Sequence, residues 1–107
     1  MKVFCAIALA TLTSAAWAQT PTLSDADRTA VFKAAGAVQR GGRWVVCADD
    51  PTNPSASIDT VRDLNGDGRP EAVVVEGGSF CHGAAETGYQ LLSKQADGRW
   101  RMVTSNY

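Results

Sequence analysis

Histidine is nearly absent from this chain. A single residue, His82, leaves a histidine-based zinc site without the ligands it needs unless Cys47 and Cys81 are used as well. Basic runs are missing too. Ten Lys plus Arg stand against eleven Asp plus Glu, scattered to a net charge of −1, so there is no electrostatic footprint for nucleic acid. No apolar stretch approaches the roughly 20 residues that span a bilayer, which excludes a membrane helix. There is no internal period and no low-complexity tract, which argues against a repeat array. Aromatics make up 7% and charged residues 20% of 107 residues, against 45% hydrophobic; these are the proportions of one small soluble domain with no room for a second.

What is present begins with an export signature. Lys2 supplies the positive n-region, Val3 to Leu12 a short apolar run, and Ala16-Trp17-Ala18 the small residues that precede cleavage before Gln19. The expectation is a signal peptide over 1–18, a single domain over 19–107, and a periplasmic or secreted location. Cys5 leaves with the signal. Cys47 and Cys81 remain, and an even count in a small exported domain is normally a disulfide. Closing a loop of about 35 residues contributes roughly 3–4 kcal/mol in the chain-entropy model.

Local patterns predict an α+β fold: one N-terminal helix packed on an antiparallel sheet of about five strands. Ser24 is an N-cap with Asp25 and Asp27 in the first turn, and Ala30, Val31, Ala34, Ala35 and Val38 recur at helical spacing with Phe32 off the stripe. That predicts a helix over 25–39 ended by Gly41-Gly42. Strands are expected over 43–48, 57–62 and 72–76. A hairpin over 87–94 and 99–103 turns at Gln95-Ala96-Asp97-Gly98. Trp44 and Trp100, inside strands, are read as core.

One motif carries chemistry. Asp63-Leu64-Asn65-Gly66-Asp67-Gly68-Arg69-Pro70-Glu71 places oxygen-bearing side chains at loop positions 1, 3, 5 and 9, with glycine at position 6 where a calcium loop turns sharply. Alternate side chains of a curled loop converge, and Gly68 lets the backbone turn the Arg69 carbonyl toward the same point. The expected metal ligands are therefore Asp63, Asn65, Asp67, the Arg69 carbonyl and Glu71, and the expected cofactor is Ca2+. Position 12, an EF-hand's bidentate glutamate, is Val74, and the flanks read as strands, so a true EF-hand is disfavoured. The competing reading is a solvated Asn-Gly/Asp-Gly turn.

The stretch from Asp63 to Val74 resembles the calcium loops of FG-GAP and VCBS-type repeats, in which an Asp-x-Asx-x-Asp-Gly-x-x-acidic loop joins two strands. Glu71 stands here where those loops usually carry aspartate. The wider pattern of alanine-rich helix, Gly-Gly-x-Trp before a cysteine, acidic loop, Phe80-Cys81 and Gly-Arg-Trp hairpin looks like small exported proteins of Gram-negative bacteria of uncharacterised type.

Other constellations are weaker. His82 with Ser79 lacks an orienting acid and an oxyanion hole in the sequence, so a surface histidine is the expectation. Asp49 and Asp50 before Pro51 are routine turn residues. The segment Gly77–Gly88, tethered at Cys81, reads as an exposed recognition loop, with Ser79, His82 and Tyr89 as candidate partner contacts. The function expected is an exported, non-enzymatic, calcium-stabilised binding module with a protein partner and no membrane insertion after cleavage. One form is an inhibitor or immunity-type protein acting on a cell-wall hydrolase, although Glu86-Thr87-Gly88-Tyr89 departs from the Ser-Gly-x-x-Tyr-like loop of such inhibitors. The alternatives are a small hydrolase using His82 or the acidic loop, and a structural envelope component.

Overall fold

The structure, a computed structural model, describes residues 22–106. The expected signal peptide over 1–18 lies outside the described residues. Helix α1 spans Asp25–Ala34, and its start follows from side-chain chemistry: Ser24 Oγ accepts the Asp27 N–H at 3.0 Å, satisfying one of the orphan donors of the first turn.

The helix ends about one turn earlier than its apolar spacing predicts. Gly36 takes φ +86° and the Ala37 N–H turns back to the Phe32 carbonyl at 2.9 Å, which closes the helix. Residues assigned to its last turn instead form β1 (Val38–Arg40), paired antiparallel with β2 (Arg43–Val45). Gly41 and Gly42, expected to end a helix, both hold positive φ, +57° and +80°, as the two centre residues of a tight hairpin turn require. Val38 is consequently exposed instead of on a buried helix face.

The remaining strands are β3 (Ala56–Arg62), β4 (Glu71–Gly77), β5 (Thr87–Lys94) and β6 (Trp100–Ser105), hydrogen-bonded in the order β3-β4-β5-β6, all antiparallel. The architecture is α+β, but the sheet has four strands, the β1–β2 hairpin is separate, and a short second helix α2 (Ser79–His82) with a 3-10 turn (Gly83–Ala85) occupies the segment expected to be loop. The β5–β6 turn forms as its Asp-Gly predicts: Gly98 holds φ +88° and Asp97 Oδ1 accepts the Arg99 N–H at 2.9 Å.

The core lies between α1 and one face of the sheet: Val31, Phe32, Ala35, Ala37, Val46, Ala56, Ala72, Val74, Leu92 and Trp100. Phe32 belongs to it, contrary to its place beside the helix stripe. Its ring stacks on Trp44, centroids 5.1 Å apart and planes 9° from parallel, because the hairpin folds β2 back over the helix. Asp27 joins helix to sheet, accepting from Trp100 Nε1 at 3.1 Å and Lys94 Nζ at 3.0 Å. Cys47 and Cys81 are bonded, Cα atoms 6.2 Å apart. Among the described residues no helix is long and apolar enough to cross a membrane.

Candidate metal centre

Strand pairing builds the acidic loop. Arg62, the last residue of β3, sits opposite Glu71, the first of β4, so the eight residues between must reverse within one strand spacing. Reversal on that scale needs left-handed backbone, and Gly66 (φ +81°) and Gly68 (φ +85°) supply it; open space surrounds both, so conformation and not room requires glycine there.

The curl aims the carboxylates inward. Asp63 spans the turn, Oδ1 accepting from Gly66 N at 2.7 Å and Oδ2 from Gly68 N at 2.8 Å. Those amide donors, Gly68 first, hold the Asp63 carboxyl below the usual carboxylate range. Asn65 Oδ1 accepts from Asp67 N at 3.1 Å, and Asp67 Oδ1 from Arg69 N at 2.8 Å. The exposed Arg69 guanidinium also reaches Asp67 Oδ2 at 3.2 Å and donates through Nε to the Lys94 carbonyl at 3.1 Å. Glu71 is buried. Its Oε1 accepts from Leu64 N at 2.6 Å and Asn65 N at 3.3 Å, while Oε2 accepts from Ser93 Oγ at 2.9 Å on β5.

Asp63, Asp67 and Glu71 each bring an oxygen within 4.8 Å of the others, a cluster that could hold a metal ion. Three carboxylates so close repel one another, and a divalent cation relieves that repulsion while taking hard oxygen ligands. Asn65 stands in the same loop with its side-chain oxygen engaged to Asp67 N. Ser93 was not legible as part of the site; its pairing opposite Glu71 in the β4–β5 register is what brings it there.

The other candidates separate. Ser79 opens α2 and is exposed, and Tyr89 is 40% exposed on β5. His82 is not a surface residue. Its side chain is 2% exposed, with Nε2 3.2 Å from Glu76 Oε1 and the ring lying against Gly88 of β5. Asp50 is buried but acts as a turn residue, accepting from Thr52 N at 2.8 Å and Thr52 Oγ1 at 2.7 Å, with Asp49 exposed beside it. Glu76 was missed altogether. The available signal was strand alternation: Ala72, Val74 and Glu76 share one face, and an acid in such a row must find buried partners. Comparison with known proteins finds no match to this chain, whether among protein-family models, curated proteins or solved structures.

Proposed function

We propose that the chain is an exported, non-enzymatic binding module in which the 63–71 loop takes up Ca2+ and so rigidifies the β3–β4 end of the sheet. The observation that carries this is the approach of Asp63, Asp67 and Glu71 within 4.8 Å on a loop joining two strands. Calcium is favoured over transition metals because the donors are all oxygen and Glu71, held by Ser93, is already aimed at the loop. The surface offered to a protein partner is the segment after β4. There Phe80 is 62% exposed while its neighbour Cys81 is bonded to Cys47. A fixed aromatic of this kind is the residue type that anchors interfaces. An inhibitor of a cell-wall hydrolase is one protein of this description; the alternative of a hydrolase using His82 is disfavoured by that side chain's burial against Glu76.

The test is thermal unfolding of the oxidised protein in 10 mM calcium and in chelator, for wild type and Asp67→Ala. Extracellular modules bind with Kd near 10⁻⁴–10⁻³ M, so the ion stabilises by about 1.4–2.7 kcal/mol at that concentration. At about 4–8 °C per kcal/mol, the midpoint rises by roughly 6–22 °C in wild type and by little in the variant. Equal midpoints for wild type in calcium and chelator would reduce the loop to a turn.

A further inference from the structure

The buried carboxylate of Glu76 lies between the two segments that the disulfide joins. From β4 it accepts the Val46 N–H at 2.6 Å through Oε2 and the Cys47 N–H at 2.9 Å through Oε1, and Oε1 also meets His82 Nε2 at 3.2 Å. Val46 and Cys47 lead into one half of the bond and His82 follows the other half, Cys81. The clamp is built from both sides. Glu76 pairs with Gly88 across β4 and β5, and a Cβ at Gly88 would collide with the His82 ring, so the glycine creates the seat in which the imidazole lies. The Glu76 side chain has no exposed surface, and these donors take the place of the water it has lost.

We infer that Glu76 is a positioning residue for the Cys47–Cys81 bond: its hydrogen bonds hold both cysteine-bearing segments in place before the sulfurs join and after they part. The segment carrying Phe80 therefore has two latches, one covalent and one not, and reduction alone does not release it. Oxidation by a small-molecule disulfide such as oxidised glutathione proceeds in two exchanges. One cysteine thiolate attacks the glutathione disulfide and expels a glutathione thiolate; the second cysteine thiolate then attacks the mixed disulfide and expels the other. Two protein thiols are oxidised, one glutathione disulfide is reduced to two thiols, and the two protons pass from the cysteines to glutathione. The clamp acts on the second exchange and on the equilibrium, because the loop-closure entropy across a sequence separation of 34 is already lost when the thiols are free.

The experiment is the equilibrium of the folded protein with reduced and oxidised glutathione, read by thiol trapping, for wild type, Glu76→Gln, Gly88→Ala and, as control, Asp27→Asn at the far end of the sheet. Glutamine presents an amide N–H2 to one of the two backbone donors and cannot serve both. We expect Glu76→Gln and Gly88→Ala to lower the equilibrium constant for disulfide formation about tenfold or more, and Asp27→Asn to leave it unchanged. Should Glu76→Gln not fold, the same question is answered in Cys47→Ser/Cys81→Ser by amide hydrogen exchange. Slow exchange at Val46 and Cys47 without the bond supports the clamp. Loss of protection there while β4 and β5 stay protected overturns it, as does a glutathione equilibrium that Glu76→Gln and Gly88→Ala leave at the wild-type value.

Discussion

Replacing Gln90 with methionine is expected to stabilise this protein. Gln90 lies on β5, paired with Val74 on one side and Ser105 on the other, on the same face as Leu92, and is 1% exposed. Neither its Oε1 nor its Nε2 has a hydrogen-bond partner among the described residues. An amide taken from water without compensation costs about 1–3 kcal/mol on mutational scales, whereas removing the polar atoms and keeping the shape is neutral or favourable. Methionine has the same unbranched length and fills the same space, so the expected gain is about 1–2 kcal/mol. At about 4–8 °C per kcal/mol the thermal midpoint rises by some 4–16 °C, and the urea midpoint moves up with an unchanged slope. Gln90→Ala separates polarity from packing, because it removes the same amide but leaves a void beside Val74 and Leu92, and it should fall below Gln90→Met. A midpoint for Gln90→Met at least 4 °C below wild type would refute the reasoning, since it would mean that the amide contributes binding energy where it sits.

Two further outcomes follow from the contacts of α1. Asp27 is held below its ordinary range by the Trp100 hydrogen bond first and by Lys94 next, so its ionised form stabilises the fold; that contribution is complete above the unfolded value of 3.8 and disappears as pH falls through the lower folded value. Asp27→Asn should therefore cost about 0.5–1 kcal/mol at pH 7, and denaturant titrations of variant and wild type should converge in acid below that range. Phe32→Ala removes a ring 2% exposed and stacked on Trp44, and should lower stability by about 3–5 kcal/mol in urea unfolding, with a change in the near-ultraviolet signal of Trp44.

What could be read from the chain was what depends on near neighbours. Ser24 as a cap, Asp97-Gly98 as a turn and the 63–71 loop all rest on side chains meeting backbone two to seven residues away, and each forms from the predicted residues. The disulfide was legible by count, because only Cys47 and Cys81 lie beyond the apolar run Val3 to Leu12. The boundary between α1 and the β1–β2 hairpin was not. Paired glycines satisfy a helix stop and a hairpin turn equally, and the choice fell to Gly36, which stops the helix first, and to Trp44, which gains a stacking partner in Phe32 only if the chain doubles back. Glu76 shows the same division most sharply. Its place on the inner face follows from strand alternation, but its partners Val46 and Cys47 come from the segment just after β2 and His82 from α2, brought together by the fold from distant points of the chain. Turn and cap chemistry is short-ranged and so is written in sequence order. A buried charge is satisfied only by groups that the packed sheet gathers from distant points of the chain, and that gathering exists only in three dimensions.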